Sequence, residues 1–256
     1  MKVVTSLTND TVKAVRALHL KKAREESGLF LAEGLKIVAE AVDQGFAPAI
    51  VLYSGKAAGQ PALQRAAAVA REVIEVTPAV LAKISRRDNP QTVLGVFEQQ
   101  FAPLSGLGGD GLLVGLEEIR DPGNLGTILR TADAAGCAGV ILIGETCDPY
   151  SVEAVRATMG SIFAVPIARA SVAEFLAWRA GWPGSVIGTL LTATTDYRTP
   201  SYARPSLILL GAEQAGLTAD LAAACDVSVK IPMRGRADSL NLAVAAGLMI
   251  YAAAPD

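Results

Sequence analysis

The chain is poor in the side chains that most often carry acid–base chemistry and bind metals. It has one histidine, His19, and three cysteines among 256 residues. Catalysis by histidine and zinc sites built from histidine and cysteine are therefore disfavoured, and we predict no metal site. The cysteines are odd in number and have no metal-binding spacing, which is typical of reduced thiols in a cytoplasmic protein. They are Cys137, Cys147 and Cys225.

Long apolar segments are missing as well. Hydrophobic residues make up 51% of the chain, but no apolar run approaches the ~20 residues that a membrane span requires. The opening sequence MKVVTSLTND lacks the apolar stretch of a signal peptide. We therefore predict a cytoplasmic protein that does not enter a membrane.

Three common ligand-binding motifs are also absent. A dinucleotide fingerprint would place G-x-G-x-x-G after the strand predicted at residues 112–116, but the chain continues there as EEIRDPGNLG. A P-loop and a G-x-S-x-G nucleophile elbow are not found either. The usual sites for NAD, ATP and acyl chemistry are therefore disfavoured.

What the sequence does contain is a regular alternation of strands and helices, which predicts an α/β protein. In the first hundred residues, the pattern predicts a helix after Asn9, helices at 35–44 and 62–70, and strands at 29–32, 49–53, 73–76 and 93–97. Later strands are predicted at 112–116, 139–143, 162–165, 185–190, 207–210 and 227–230, and later helices at 125–135, 152–159, 172–179, 219–224 and 239–253. Continuously apolar strands between helices indicate a mostly parallel sheet covered on both faces.

A Pro- and Gly-rich stretch at residues 102–111, APLSGLGGDG, interrupts this alternation. We place a domain boundary there, between a small α/β domain at 1–105 and a larger domain at 111–256. The first 110 residues carry 13 Lys+Arg and 11 Asp+Glu, a net charge of +2, and the rest carry 10 and 14, a net charge of −4. The early basic residues form either a solvated helix face or a surface that contacts RNA phosphates. They are Lys2, Lys13, Arg16, Lys21, Lys22 and Arg24.

Three later segments carry polar residues at the ends of predicted strands. In the first, DPGNLGTILRTADAAG at 121–136, Asn124 is predicted to cap a helix that ends at Gly136. Arg130 falls outside the apolar stripe of that helix, so packing does not require it. The stripe comprises Leu125, Ile128, Leu129, Ala132 and Ala135.

The second segment, LILLGAEQAGL at 207–217, is a buried strand followed by a glycine-rich turn. Gly211 and Gly216 flank Glu213, and such glycines let backbone amides approach a ligand closely. The third segment, IPMRGRADSLNLAVAAG at 231–247, closes a strand, forms a polar loop and opens a long helix rich in small residues. Ser239 is predicted to cap this helix.

In order, spacing and polar residues, the three segments resemble the signature motifs of the SpoU (TrmH-like) RNA ribose methyltransferases of the SPOUT superfamily. Segments SLTNDTVKAVRAL, FLAEGLKIVAEAV and NPQTVLGVF resemble the N-terminal substrate-binding domain of many SpoU enzymes. Three positions depart from the family pattern: Ala212 replaces an Asn or Ser, and Val152-Glu153 replaces Pro-Lys.

The resemblance implies a SPOUT fold with a trefoil knot, a homodimer, and methyl transfer from S-adenosylmethionine to a ribose 2′-hydroxyl of RNA. It implies that Arg130 acts on the hydroxyl, in its own subunit or in the partner's site, and that the cofactor is held by Gly211, Gly216, Ile231 and Leu240. The remaining catalytic candidates by the same resemblance are Asn124, Glu213, Ser239 and Asn241. Ribosomal RNA is favoured as the substrate over transfer RNA, and a non-catalytic RNA-binding member of the family is a further alternative. The target nucleotide and the biological role, housekeeping or antibiotic resistance, stay open.

Overall fold

The computed structural model of the chain describes residues 3–107 and 109–254. They form two compact units, and each unit is built from two separate stretches of chain. The first unit contains the residues up to Gln99 together with Asp148–Phe163. The second contains Gln100–Cys147 and the residues from Ala164 onward. Lys2, one of the early basic residues, lies outside the described ranges.

The first unit is a mixed five-stranded sheet with helices. Its strands are β1 (Val3–Val4), β2 (Leu29–Glu33), β3 (Ile50–Tyr53), β4 (Glu72–Val76) and β5 (Val93–Glu98), in the order β1-β4-β3-β5-β2. β5 runs antiparallel to both neighbours, and the other pairs are parallel. The helices are α1 (Asp10–Ala17), α2 (Lys21–Ser27), α3 (Leu35–Asp43), α4 (Pro61–Val69), α5 (Pro78–Ser85) and, from the later stretch, α7 (Val152–Thr158).

The second unit is a seven-stranded sheet in which every pair of described strands is parallel. Its strands are β6 (Leu112–Glu117), β7 (Gly139–Ile143), β8 (Ile167–Ala170), β9 (Ser185–Thr189), β10 (Thr195–Asp196), β11 (Ser206–Leu210) and β12 (Val227–Lys230), in the order β10-β12-β9-β11-β6-β7-β8. The helices are α6 (Pro122–Ala134), α8 (Val172–Gly181), α9 (Ala219–Ala223) and α10 (Leu242–Ala253). The predicted α/β class and the parallel sheet are confirmed.

The stretch Asp148–Phe163 joins the first unit through buried polar and aromatic contacts. The carboxylate of Asp148 accepts from Arg24 at 2.7 Å, and both side chains are less than 10% exposed. Arg156 donates from two nitrogens to Glu33, at 2.8 and 2.7 Å. The ring of Tyr150 packs 4.6 Å from that of Phe30. Arg24 therefore holds the fold together and is not available to RNA, contrary to its place in the predicted basic surface.

The strand predicted at 162–165 is wrong. The chain there forms a 3₁₀ turn, Ser161–Phe163, and the strand comes later, as β8. The cause is tertiary packing, because Phe163 inserts its ring between those of Phe97 and Phe30, at centroid distances of 4.8 and 5.7 Å. Helices α2 and α5 and the two-residue strands β1 and β10 were not predicted. No helix among the described residues is long and apolar enough to cross a membrane.

Candidate active site

The polar segments converge at one edge of the parallel sheet of the second unit. β12, β9, β11 and β6 are consecutive neighbours, and their carboxyl ends therefore meet at the same edge. The loops leaving β9, β11 and β12 surround a cleft of about 390 Å³, which lies within the usual size range of small-molecule sites. Its lining comes from residues 189–192, 210–217, 230, 231, 233, 239, 240, 242 and 245.

The helix that follows β6 is capped differently from the prediction. Asp121 is the N-cap of α6, and its Oδ1 accepts from the backbone N–H of Asn124 at 2.7 Å. Pro122 occupies the first turn, where its missing N–H costs nothing. Asn124 is therefore not the cap. Its side-chain amide is free to bind residues of other loops.

The last helix shows the same kind of difference. Asn241, and not Ser239, caps α10, because its Oδ1 accepts from the N–H groups of Ala243 at 2.9 Å and Val244 at 3.3 Å. The helix consequently begins at Leu242, three residues later than predicted. Ser239 lies in the loop before it and donates to the carboxylate of Asp238 at 3.2 Å.

Side-chain hydrogen bonds join one residue from each of the three segments. The Nδ2 group of Asn124 donates to Oε1 of Glu213, and the Oδ1 atom of Asn124 accepts from Nδ2 of Asn241 at 2.9 Å. Because Asn241 also caps α10, this motif-bridging network (Asn124, Glu213, Asn241) connects the starts of α6 and α10 with the loop after β11. Three residues from 121–136, 207–217 and 231–247, each predicted separately, thus form one assembly.

The loop after β11 is closed by its own backbone. Ala212 and Gly216 exchange two hydrogen bonds, at 3.1 and 2.9 Å, and Gly216 adopts φ +68°, where glycine is favoured. A Cβ added at Gly211 would lie 2.0 Å from the backbone carbon of Gly216. The loop itself therefore requires glycine at this position. The close approach of its backbone to the cofactor stays a prediction.

The predicted cofactor residues lie together in the structure. Gly211, Gly216, Ile231 and Leu240 all line the cleft, as do Glu213 and Ser239. Arg130 does not line it. Its side chain is exposed on α6 and makes no hydrogen bond or ion pair with any described residue. Six residues separate it from Asn124, which places it ~9 Å further along the helix and ~120° around it.

Sequence reasoning missed Thr189, which ends β9. Its Oγ1 atom is buried at the cleft and has no hydrogen-bond partner in the described part of the chain. Buried hydroxyls are normally bonded, so this atom is a candidate contact for a ligand. The position could have been found, because the predicted strand at 185–190 ends at the same sheet edge as those at 207–210 and 227–230.

Glu117, the last residue of β6, was also missed. It is 1% exposed, and its Oε2 atom accepts from the backbone N–H of Thr218 at 2.9 Å, at the start of α9. Its Oε1 atom has no hydrogen-bond partner among the described residues. A carboxylate at a helix N-terminus is stabilised by the exposed N–H groups. Glu117 thereby anchors the end of the loop that carries Glu213.

The charged residues among those that line the cleft are Glu213 and Lys230. Hydrogen bonds from Arg198 lower the pKa of Asp196 to about 2, and the nearby charge of Arg234 acts in the same direction. Burial raises the pKa of the Cys225 thiol to about 11, so it is no nucleophile at neutral pH. Within residues 3–107 and 109–254, no three His, Cys, Asp or Glu side chains are grouped to hold a metal ion.

Comparisons with known proteins match this geometry. Residues 111–251 match the SpoU rRNA methylase family, and residues 9–95 match the MRM3-like substrate binding domain. An AdoMet-bound rRNA methyltransferase from Sinorhizobium meliloti has the same fold, with a TM-score of 0.92 and 49% identity over 98% of this chain and 97% of that one.

Two curated relatives extend over most of the chain. A 23S rRNA (uridine(2479)-2′-O)-methyltransferase from Streptomyces viridochromogenes is 33% identical, over 91% of this chain and 85% of its own. A 23S rRNA (guanosine(2553)-2′-O)-methyltransferase from Bacillus subtilis is 29% identical, over 98% of both chains. The motif-bridging network, the cleft at the sheet edge and these similarities lead to one conclusion: the chain belongs to the SpoU rRNA methylase family.

Proposed function

We propose that the protein methylates a ribose 2′-hydroxyl of 23S ribosomal RNA with S-adenosylmethionine as methyl donor. The observation that carries the proposal is the motif-bridging network, which assembles Asn124, Glu213 and Asn241 beside the cleft. Two relatives that span most of the chain methylate 2′-hydroxyls of 23S RNA, one at a uridine and the other at a guanosine. Because those bases differ, the similarity supports the ribose as the target and leaves the base open.

The cleft suits a nucleoside cofactor. Its volume of about 390 Å³ falls in the range for small ligands, and many of its walls are backbone or small side chains that permit close approach. The unbonded hydroxyl of Thr189 offers a polar contact that nothing in the described chain satisfies. Gly211, Ile231 and Leu240 also line the cleft, and we expect them to contact the cofactor through backbone groups. S-adenosylmethionine, when bound, supplies a methyl group made electrophilic by its sulfonium.

The residues of the chain then have to position and activate the hydroxyl. Arg130 is the catalytic candidate because it is exposed, unpaired among the described residues and not needed for packing. Its guanidinium keeps its charge, so it serves as a donor that orients the 2′-oxygen and stabilises the alkoxide as the proton leaves to water or an RNA phosphate. The motif-bridging network and Ser239 hold the surrounding loops in place, which fixes the approach geometry.

We also propose a homodimer in which α10 lies at the two-fold interface. This helix is apolar on all sides, and Val244, Leu248 and Tyr251 stay 52%, 38% and 61% exposed in the single chain. Helices that are apolar all round are usually covered all round. A groove of about 540 Å³ runs beside them and also contacts Tyr197 and Arg198. A second copy would cover this surface by self-complementary packing.

A dimer also gives Arg130 a place to act. The side chain does not line the cleft of its own chain, while α6, which carries it, packs directly against α10. We propose that Arg130 reaches the site of the partner subunit.

The trefoil knot and the cytoplasmic location that the resemblance implies are further proposals. The knot is proposed from the family similarity, and an RNA substrate supports the location.

The first experiment measures methyl transfer from labelled S-adenosylmethionine to 23S ribosomal RNA transcribed in vitro. Wild-type protein should incorporate label at a single ribose, which mass spectrometry of nuclease fragments identifies. The Arg130→Ala variant should bind the cofactor with unchanged affinity and lose about 100-fold or more in rate, as for removal of one transition-state donor. A folded variant that turns over at the wild-type rate would remove Arg130 from the mechanism. Methylation of transfer RNA in place of 23S RNA would support the alternative substrate.

The second experiment tests the shared site with a mixed dimer. One subunit carries Arg130→Ala, the other carries Gly211→Val to disrupt the cleft, and two affinity tags isolate the heterodimer. If Arg130 serves the partner, one of the two sites is complete and the mixed dimer has about half of the wild-type activity. If Arg130 serves its own subunit, neither site is complete and only background activity results. A monomer in light scattering at assay concentrations would contradict both proposals.

A further inference from the structure

The exposed cations of the first unit divide into two groups according to their partners. Most have a carboxylate within 4 Å, in exposed pairs that offset part of their charge. These are Lys13, Lys21, Lys22, Lys36, Arg65 and Arg71. Arg24 is buried. In the early basic run that the sequence suggested as a phosphate surface, Lys13, Lys21 and Lys22 are therefore each paired within their own helix.

The exposed cations that have no carboxylate within that distance, among the described residues, cluster elsewhere. Lys83, Arg86 and Arg87 lie on α5 and in the turn that ends it, and Arg16 lies on α1, which packs against α5. Lys56, the fifth such cation, follows β3. We call Arg16, Lys83, Arg86 and Arg87 the basic turn. The neighbouring Asp88 is exposed and forms no ion pair with them.

The backbone of the basic turn is fixed by two side chains from other elements. The last carbonyl groups of α5 would ordinarily lack intrahelical partners. His19 donates from Nε2 to the carbonyl oxygen of Ile84 at 2.6 Å, and Arg156 donates to that of Ser85 at 3.0 Å. Arg86 follows immediately, with φ +55°, a conformation that residues with a side chain rarely adopt. Arg86 is the C-cap of α5, and many helices end in this left-handed conformation.

This arrangement differs from that of an ordinary solvated arginine. The turn is held in one conformation before any ligand is present, so binding would cost little ordering of its backbone. Two adjacent guanidinium groups that have no carboxylate of the described residues within 4 Å suit phosphate oxygens, which they can contact through two parallel hydrogen bonds. In nucleic-acid complexes, such contacts supply most of the affinity without reading the base.

We infer that the basic turn is a phosphate-contacting surface for the RNA substrate, with Arg86 and Arg87 as its principal contacts. The inference rests on the proposed function for the identity of the polyanion as RNA. The basic turn takes the place of the phosphate-contacting surface around Lys21, Lys22 and Arg24 that the sequence suggested. The basic turn supplies affinity and orientation, and the choice of nucleotide belongs to other parts of the protein.

The test measures binding of full-length protein to 23S ribosomal RNA transcribed in vitro, as a function of salt concentration. Each lost phosphate contact lowers the slope of log affinity against log salt by about 0.7–0.9. The Arg86→Gln/Arg87→Gln variant should therefore lose about 1.4–1.8 in slope and about 25- to 60-fold in affinity at 0.1 M salt. The control, Arg65→Gln/Arg71→Gln, removes the same charge from the same unit but at paired positions, and should change the slope by less than about 0.5.

A second variant guards against a change in the backbone of the turn. Lys83→Gln/Arg87→Gln leaves the left-handed Arg86 in place and should lose about half to all of the same slope. If both variants bind RNA with the wild-type slope of log affinity against log salt, the inference is wrong. The surface would then bind a protein partner or have no binding function. Equal losses in the Arg65/Arg71 control would also overturn it, since net charge alone would explain them. Methyl transfer by the wild type, followed in parallel, tests the proposed function separately: methylation without any effect of the turn refutes only the inference.

Discussion

The motif-bridging network makes a demanding prediction about Asn124. Replacing Asn124 by aspartate keeps the size and shape of the side chain and changes one NH₂ group into an oxygen. The contact with Asn241 survives, because that asparagine donates to an oxygen in either case. The contact with Glu213 is inverted, since a donor that faced a carboxylate becomes a second carboxylate.

The size of the effect follows from the position of the pair. Two unit charges ~4 Å apart repel by about 1 kcal/mol in water and about 4 kcal/mol at the effective dielectric constant near a protein surface. Asn124 is half-buried and Glu213 is exposed, so the penalty falls between these limits. Since 1.4 kcal/mol corresponds to a factor of ten, the affinity of the cleft for S-adenosylmethionine should fall by about 5-fold to several hundredfold.

Calorimetry of cofactor binding measures this loss, and circular dichroism confirms that the variant is folded. The decisive control is the double variant Asn124→Asp/Glu213→Gln, in which the glutamine amide can donate to the new carboxylate. It restores the hydrogen bond with donor and acceptor exchanged, and should recover most of the affinity. An Asn124→Asp variant that binds the cofactor within a factor of two of wild type would refute the idea that the network shapes the cleft.

Three further predictions concern glycine, a buried ion pair and pH. Gly211→Val should lower both the melting temperature and the cofactor affinity, because its Cβ alone would lie 2.0 Å from the backbone carbon of Gly216. Calorimetry that shows lost affinity at an unchanged melting temperature would contradict this prediction. Arg156→Leu should lower the free energy of unfolding, measured by urea titration, by about 3–5 kcal/mol, because it leaves the 2%-exposed side chain of Glu33 unpaired. The control Arg71→Leu removes a 71%-exposed partner and should cost less than about 1 kcal/mol, so similar losses in the two variants would argue against the importance of the buried pair. Burial lowers the pKa of His19 below 6.5, so the unfolded chain binds a proton more readily as the pH falls through that value. The free energy of unfolding should therefore decrease from pH 7.5 to 5.5. His19→Gln, which can still donate a hydrogen bond, should flatten that decrease.

Much of the site could be predicted from the sequence because its residues follow strands that end at one sheet edge. Asn124, Glu213 and Asn241 were chosen because their segments resemble the family motifs, and the structure joins them by hydrogen bonds. The capping roles were misassigned for a physical reason. Asp121 and Asn124 are both good N-caps, as are Ser239 and Asn241, so local chemistry alone does not decide where a helix begins.

Other features depend on contacts between distant residues, which no local pattern reveals. Arg24 lies in a run of basic residues that looks solvated, yet it is buried against Asp148, which is 124 positions away. The strand predicted at 162–165 gives way to an aromatic cluster around Phe163. The orphan hydroxyl of Thr189 is equally invisible, because a threonine at a strand end is ordinary until its neighbours are known.

The return of residues 148–163 to the first unit has a consequence for how the protein is made. The chain emerges from the ribosome N-terminus first. When synthesis has reached Gln99, the buried ion pairs of the first unit still lack Asp148 and Arg156. The unit must wait for Phe163, another 64 residues (163 minus 99), which takes roughly 3–13 s at ~5–20 residues per second. During this interval the carboxylate of Glu33 and the guanidinium of Arg24 lack their ion-pair partners. A newly made first unit is therefore a candidate for chaperone binding until all of β6, α6 and β7, and then residues 148–163, have also been synthesised.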